Sequence, residues 1–232
     1  MILKAENLSK RYFRSNGQAN HFYAVKNVSI ELNGGEVVAL MGRSGSGKTT
    51  LLHMLAGLLT PTEGSVWLAG QLLYELKDEA LSRIRNAILG VVPQGRSAVE
   101  ALTVRENVRL PRLLYDNVEK TEAADRWLEA LGIAHLADAW PAELSGGELR
   151  RMAIARALAS NPQVILADEP TGDLDDENTE RVLQILRDAA KVDGRAVLLV
   201  SHDREALKYA DRVFKMDGGR LTEDDTDVFA GI

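Results

Sequence analysis

Hydrophobic and polar positions repeat along the chain with two different periods, and these periods predict an α/β protein. Short apolar runs rich in β-branched residues predict strands, whereas apolar residues spaced three and four apart predict helices. The N-terminal part contains strand-like runs, which favour an antiparallel sheet that leads into the rest of the fold. The predicted strands there cover residues 2–8, 24–32 and 37–41.

The remainder of the chain changes character twice. Residues 101–160 show almost only helical spacing, with helices predicted over 119–131 and 149–158. Strands and helices then alternate, which is typical of a parallel sheet. The predicted elements of this last part are strands 164–167, 196–200 and 213–216 and helices 178–192 and 204–209. The acidic end is predicted to be a solvated tail, which includes Glu223, Asp224, Asp225 and Asp227.

One glycine-rich segment matches the pattern Gly-x-x-x-x-Gly-Lys-Ser/Thr, which binds nucleotide phosphates. It follows strand 37–41 and precedes a predicted helix over 50–56, the context that a phosphate-binding loop requires. Backbone N–H groups would bind phosphate oxygens, Lys48 would reach the β- and γ-phosphates, and Thr49 would ligate Mg²⁺. The alternative, an ordinary glycine-rich turn, is disfavoured by this context. The predicted nucleotide-binding residues here are Gly42, Arg43, Ser44, Gly45, Ser46, Gly47, Lys48, Thr49 and Thr50.

Composition narrows the class of protein. The chain has 232 residues, 45% of them hydrophobic and 27% charged, as in an ordinary globular protein. Its formal net charge of −6 argues against nucleic acid as a partner, since nucleic-acid binding normally needs a basic face. It contains no cysteine, which excludes disulfides and cysteine metal sites. No signal peptide is evident and the apolar runs are too short to span a membrane, which predicts a cytoplasmic location.

A second candidate anion site begins another predicted helix. Ser145 is a favourable N-cap, and Gly146 and Gly147 expose backbone N–H groups just ahead of helix 149–158. This pattern is also common in helices that bind no anion. Taken alone, it indicates a helix cap at least as well as a phosphate site.

Three polar side chains follow predicted buried strands. Asp168 and Glu169 come after strand 164–167, and His202 comes shortly after strand 196–200. Because α/β sites form at the carboxyl ends of strands, Asp168 is predicted to hold Mg²⁺ and Glu169 to orient or deprotonate an attacking water. His202 is predicted to contact the γ-phosphate. An acidic strand end without a function is the alternative for the two carboxylates.

With these elements in this order, the chain resembles the ATP-binding cassette subunits of ABC transporters over about residues 1–220. Residues 42–49 match the Walker A loop, and residues 144–148 match the signature motif. Residues 165–169 match the Walker B strand with its catalytic glutamate, and residues 171–175 match the D-loop. The motifs occur at the separations typical of the family.

The resemblance assigns roles to single residues as well. Gln94 matches the Q-loop, which implies contacts with the nucleotide and with Mg²⁺, and His202 matches the switch histidine. Tyr12 stands where the family places an aromatic residue that stacks on adenine. Tyr23 and Phe13 are alternatives for that position.

The resemblance implies a fold class and a division of the chain. The fold would be α/β: a P-loop NTPase core with a parallel sheet, an N-terminal antiparallel β subdomain and a helical subdomain. Residues 1–232 would form a single cassette. The core with its antiparallel part would comprise about residues 1–94 and 161–220, and the helical subdomain about 95–160.

The resemblance also implies an assembly and an activity. Two cassettes of the family pack head to tail, so Ser145, Gly146 and Gly147 would contact ATP bound to the other copy of a homodimer. Hydrolysis of MgATP would drive a separately encoded transmembrane permease-type subunit. The chain would thus be peripheral on the inner face of the cell membrane. The alternative is a signalling module, which transmits ATP-driven closure to a membrane protein without moving cargo.

Finer matches point to the subgroup that contains lipoprotein-release, macrolide-export and cell-division cassettes. Residues 169–175 are close to the corresponding motif of that subgroup. Two departures lie in the D-loop and after the signature glycines: Asp173 replaces the usual Asn, and Glu148-Leu149 replaces the glutamines that often follow Ser-Gly-Gly.

The segment after Gln94 departs from the subgroup more strongly. Residues 95–100 lack the aromatic and aliphatic run that is common there. Arg96 and Glu100 predict charge-assisted contacts with the partner instead, unless both side chains only face solvent.

Overall fold

The computed structural model describes residues 1–13, 21–116 and 121–224. Along these residues, strands occur before, between and after the helices. The strands are β1 Leu3–Phe13, β2 His21–Leu32, β3 Val37–Met41, β4 Glu63–Leu68, β5 Gln71–Leu72, β6 Leu89–Val92, β7 Val164–Asp168, β8 Ala196–Val200, β9 Arg212–Asp217 and β10 Arg220–Glu223. The α-helices are α1 Lys48–Leu55, α2 Asp78–Ile88, α3 Val104–Asp116, α4 Thr121–Ala130, α5 Gly146–Ala159 and α6 Asp176–Lys191.

The strands form two sheets of different kinds. The first is a four-stranded sheet in the order β2-β1-β4-β5, in which every neighbouring pair is antiparallel. The second is a six-stranded sheet in the order β10-β9-β3-β8-β7-β6, parallel from β9 to β6 with β10 antiparallel at one edge. The α/β class predicted from the sequence, with a parallel and an antiparallel sheet, is confirmed.

Two hydrophobic cores lie on opposite faces of the parallel sheet. Alternate residues of β8 show this, since Val197 and Leu199 pack into the core that includes α3 to α6, whereas Leu198 and Val200 pack into the other. That second core includes α1 and the inner face of the antiparallel sheet. Because both faces are covered, the central strands read as continuous apolar runs rather than as alternating ones.

Several elements escaped the sequence-based prediction. β4, β5, α2, β6 and β10 were not predicted: the strands are only two to six residues long, and α2 continues directly into β6 without a turn. β6 illustrates the reason: its Gly90 is unfavourable in an isolated strand. In the fold, however, a methyl group at Gly90 would lie 2.6 Å from the Ala157 carbonyl oxygen, so the glycine permits α5 to pack closely on the strand.

The end of the chain agrees with the prediction only in part. The helix predicted over 204–209 is present and has 3₁₀ geometry. Glu223 is not part of a free tail, because it belongs to β10 and forms an ion pair of 2.8 Å with Arg212. Asp225 and Asp227, also predicted to lie in the tail, fall outside the described residues, as do residues 119 and 120 of the predicted helix 119–131.

The parallel register brings four strand ends to one edge of the sheet. Leu40 of β3 and Asp168 of β7 both pair with Val200 of β8, and Val92 of β6 pairs with Ala167. The segments that follow these strands therefore meet, although they are far apart in sequence. In the part of the chain that the structure describes, none of the helices is both long and apolar enough to cross a membrane.

Candidate nucleotide-binding site

The loop after β3 ends in a helix start that has no cap of its own. Gly47 is the N-cap of α1 with φ 109°, no side chain caps this end, and the first turn contains no acidic residue. A methyl group at Gly47 would lie 2.1 Å from the Ala24 carbonyl oxygen of β2, so only glycine fits here. The unpaired backbone N–H groups at such a helix start favour an anion.

Lys48 lies across this loop and is almost fully buried. Its ammonium group donates to the carbonyl oxygens of Gly42, at 2.8 Å, and Arg43, at 3.1 Å. These bonds are replaceable, since a phosphate oxygen is a stronger acceptor for an ammonium donor than a neutral carbonyl. Lys48 is thus held over the loop where a phosphate group would bind.

Asp168 ends β7 beside this loop and is only 1% exposed. Burial raises the pKa of its carboxyl group, and the opposing effect of a hydrogen bond from Thr49 is smaller. Its Oδ2 atom is buried without a hydrogen-bond partner in the protein. A buried carboxylate oxygen without a partner is costly, and together with the Thr49 hydroxyl it provides the hard oxygen ligands that Mg²⁺ prefers. The residues present therefore fit Mg²⁺.

The next residue, Glu169, contacts the predicted histidine. His202 Nδ1 lies 2.9 Å from Glu169 Oε2, with side-chain exposures of 77% and 13% respectively. Glu169 has φ 52°, a left-handed conformation that is uncommon outside glycine, and its N–H donates to the Val200 carbonyl. Strained backbone of this kind clusters at functional sites, where the surroundings hold it in place.

Aromatic residues of the antiparallel sheet border the same cleft. Tyr12 of β1 lies opposite Phe22 of β2, and their rings stack with centroids 5.8 Å apart. Tyr12, Phe22 and Tyr23 line the cleft. Phe13 is 74% exposed and does not line it. Phe22 was missed, since nothing in the sequence separates it from neighbouring strand residues.

These groups surround one open cleft of about 950 Å³. Gln94 lines it as predicted, whereas Ser46 does not, because it is buried inside the loop. Other residues line it too: Tyr23 was an alternative to Tyr12, Gly172 and Asp173 belong to the D-loop, and the rest come from segments with no recognised motif. The predicted residues that line the cleft are Tyr12, Gly42, Arg43, Ser44, Gly45, Gly47, Lys48, Thr49, Thr50, Gln94, Asp168, Glu169 and His202; the additional ones are Phe22, Tyr23, Ala24, Arg150, Gly172, Asp173, Gly218 and Gly219.

The second helix start lies outside this cleft. Ser145, Gly146 and Gly147 do not line it, and Ser145 is the N-cap of α5. The Ser145 N–H and hydroxyl both donate to Glu148 Oε2 at 2.7 Å, while the Glu148 N–H donates to Ser145 Oγ at 3.3 Å. These bonds from Ser145 lower the pKa of the Glu148 carboxyl group. Within one chain this helix start is therefore capped by its own residues.

Comparison with known proteins gives the class of this cleft. The pattern that defines the ABC transporter family matches residues 25–172. The dimeric structure of MJ0796, a bacterial ABC transporter cassette, has a TM-score of 0.91 and 36% sequence identity, covering 96% of this chain and 98% of that one. The chain thus belongs to the ABC transporter family, and its fold is that of an ATP-binding cassette.

Two further structures agree with this assignment. A dimeric post-hydrolysis state of the MJ0796 cassette, bound to ADP and Pi, shows the same TM-score of 0.91, identity of 36% and coverages of 96% and 98%. The structure of an ATP-binding subunit of an ABC transporter has a TM-score of 0.82 and 25% identity, covering 98% of this chain and 91% of that one.

Proposed function

We propose that the chain is an ATPase subunit that hydrolyses MgATP in the cleft between the Gly42 loop and Glu169. The observation that carries the proposal is the meeting of Lys48, the partly unpaired Asp168 carboxylate and the Glu169–His202 pair at one sheet edge. Lys48 and the α1 N-terminus would bind the phosphates. Asp168, Thr49 and Gln94 would hold Mg²⁺, which supplies positive charge opposite the phosphate oxygens.

Glu169 is the general base in this proposal. The contact with His202 Nδ1 orients the Glu169 carboxylate. The carboxylate then accepts a proton from the water that attacks the γ-phosphate. His202, which is largely exposed, is free to contact the γ-phosphate with its other ring nitrogen.

Replacement of the general base tests this role. Glu169→Gln keeps the size of the side chain but removes its basicity, so kcat should fall by about 10²–10⁴-fold while ATP binding persists. The measurements are phosphate release and the Kd of a fluorescent ATP analogue, with wild type as the control. Full turnover in Glu169→Gln would show that another group activates the water.

We further propose that the working form is a head-to-tail homodimer. Ser145, Gly146 and Gly147 lie outside the cleft of their own chain, so they would complete the cleft of a second copy. The dimeric structures of the similar MJ0796 cassette support this assembly. Residues 1–94 and 161–220 would act as the nucleotide-binding core with its antiparallel part, and residues 95–160 as the helical subdomain that docks on a membrane partner.

The partner in this proposal is a transmembrane permease-type subunit, which would hold the cassette on the inner face of the membrane. The segment after Gln94 supports a polar contact. Arg156 anchors it through two bonds to Ser97, of 2.7 Å to the carbonyl oxygen and 2.6 Å to Oγ, whereas Arg96 and Glu100 are exposed. The motif at residues 169–175 favours a partner of the lipoprotein-release, macrolide-export or cell-division type.

Charge reversal at Arg96 tests the partner contact. Charged residues at an interface set specificity and register, so Arg96→Glu should abolish stimulation of the ATPase by the partner and leave the basal rate of the free subunit unchanged. The measurement is ATPase activity of the reconstituted complex beside the free subunit. Equal stimulation of wild type and variant would show that this segment does not choose the partner.

A further inference from the structure

Arg150 is a buried arginine at the nucleotide cleft that none of the sequence motifs identified. It lies in the second turn of α5, is 8% exposed, and lines the cleft together with Gln94 and Glu169. Its Nη1 donates to the Pro93 carbonyl oxygen at 2.8 Å. Pro93 directly precedes Gln94, so the guanidinium group holds the backbone from which the Gln94 side chain projects.

The charge of Arg150 is not balanced by a nearby carboxylate. Among residues 1–13, 21–116 and 121–224, no ion pair within 4.0 Å involves it. Arg195, the other buried arginine in the described part of the chain, lies 3.0 Å from Asp193. Buried charges are normally paired, because an unpaired one loses its hydration without compensation. In a cleft that binds nucleotide, the missing negative charge is that of the phosphates.

The second nitrogen of the guanidinium faces the turn after Glu169. A methyl group at Gly172 would lie 3.7 Å from Arg150 Nη2, an ordinary contact distance, so this nitrogen lies beside the turn. The Gly172 N–H in turn donates to the Glu169 carbonyl oxygen at 3.1 Å. The guanidinium therefore lies between the backbone of Gln94 and the turn that carries the general base. A fork of donors in a rigid plane suits this place, and an ammonium group does not.

We infer that Arg150 is a positioning residue with two separable roles, an inference that rests on the proposed ATPase function. Its positive charge draws the phosphates of bound ATP, and its bond to Pro93 holds Gln94 in the cleft. When ATP binds, the phosphates balance the buried charge, and the segment after Pro93 becomes more rigid. The first role affects nucleotide affinity, and the second affects the rate of hydrolysis.

Two substitutions separate these roles. Arg150→Met keeps the apolar stem but removes charge and donors, so the Kd for ATP should rise about fivefold and kcat should fall about tenfold. Arg150→Lys keeps the charge but loses the fork, so the Kd should return to within about twofold of wild type while kcat stays low. The inference would be overturned if Arg150→Met and Arg150→Lys changed the Kd for ATP and kcat equally. It would also be overturned if both constants of Arg150→Met stayed within twofold of wild type.

Hydrogen exchange supplies a readout that does not depend on turnover. ATP should slow amide exchange in residues 94–100 of wild type, and this protection should be lost in Arg150→Met. The same protection in both proteins would refute the positioning role. If wild type binds ATP but fails to hydrolyse it, the proposed ATPase function is wrong, whereas affinity and exchange still decide the role of Arg150.

A matched control lies two turns further along the same helix. Arg156 also donates to the backbone of the segment after Gln94, at Ser97, but it does not line the cleft. Arg156→Met should lower Tm and leave the Kd for ATP within about twofold of wild type. A loss of ATP affinity in Arg156→Met as large as in Arg150→Met would show that damage to α5 explains both. If the Tm of Arg150→Met shows that this variant is unfolded, the test rests on the kcat and the amide hydrogen exchange of Arg150→Lys.

Discussion

The two helix starts that the sequence predicted as phosphate sites differ in how their backbone N–H groups are satisfied. α1 begins at Gly47 without a capping side chain or an acidic residue, and it opens into the cleft. α5 begins at Ser145 with a reciprocal cap from Glu148, and it lies outside the cleft of its own chain. The backbone N–H groups at the start of α1 can bind an anion, whereas at the start of α5 the cap must first be displaced. A shared glycine-rich pattern thus does not mean that the N–H groups of both helices are equally available to an anion.

The largest expected effects come from substitutions at the two helix starts, which should affect ATP binding and hydrolysis differently. Lys48→Ala removes a charged donor at the α1 start and should weaken ATP binding by about 10- to 100-fold. Ser145→Arg should leave binding to the monomer within about twofold, yet reduce hydrolysis by about 100-fold, the usual loss when one charge-stabilising donor is removed. Equilibrium binding and phosphate release measure both constants. Normal turnover in Ser145→Arg would mean that one chain contains a complete site.

A smaller effect concerns the cap of α5. If the γ-phosphate of the other copy approaches Ser145, the Glu148 carboxylate repels it, since like charges near 4 Å oppose each other by about 1 kcal/mol in a water-like dielectric. Glu148→Gln in a Glu169→Gln background should therefore tighten the MgATP-dependent dimer about fivefold in sedimentation velocity. Glu143, which accepts from the Trp140 N–H at 2.7 Å in the adjacent 3₁₀ turn, supplies the control Glu143→Gln. An unchanged dimer Kd in Glu148→Gln would place the phosphate elsewhere.

The smallest effect is on stability and has the opposite sign. The hydrogen bonds from Ser145 lower the pKa of Glu148 in the folded state, so its contribution is present above the unfolded pKa of about 4.3 and is lost as pH falls through the folded pKa. Glu148→Gln should lower the free energy of unfolding at pH 7 by about 0.3–1 kcal/mol, towards the lower end because the site is partly exposed. Urea denaturation at pH values from 7 to 3 measures the difference in free energy of unfolding between wild type and Glu148→Gln. This difference should disappear in acid. A difference independent of pH would mean that the charge does not stabilise the helix.

Much of the candidate site could be predicted because it follows from local patterns and one topological rule. The Gly42 loop is a contiguous motif, and Asp168, Glu169 and His202 each follow an apolar run. Once parallel strands are expected, their carboxyl ends must meet, and the structure brings these residues into one cleft. The roles assigned to them remain predictions that the experiments above examine.

Other parts of the site had no local signal. Arg150 is one of several arginines in α5, and only the packing of that helix on the segment after β6 brings it to the cleft. Phe22 of β2 borders the cleft because it pairs with Tyr12 of β1, whereas Phe13 does not line the cleft. Gly218 and Gly219 form the turn between β9 and β10, and in the sequence this turn resembles any other. In the fold it lies next to Ala24 and borders the cleft.

The α/β class, the phosphate loop and the strand-end carboxylates could be predicted from the sequence, because each depends on residues that are close together in the chain and on the periodicity of apolar positions. Which of the two glycine-rich helix starts opens into the cleft follows only from the fold. The cap between Ser145 and Glu148 is local, since these residues are three apart, but the position of each helix start relative to the cleft depends on long-range contacts. The close approach of Ala24 to Gly47 is one of these contacts.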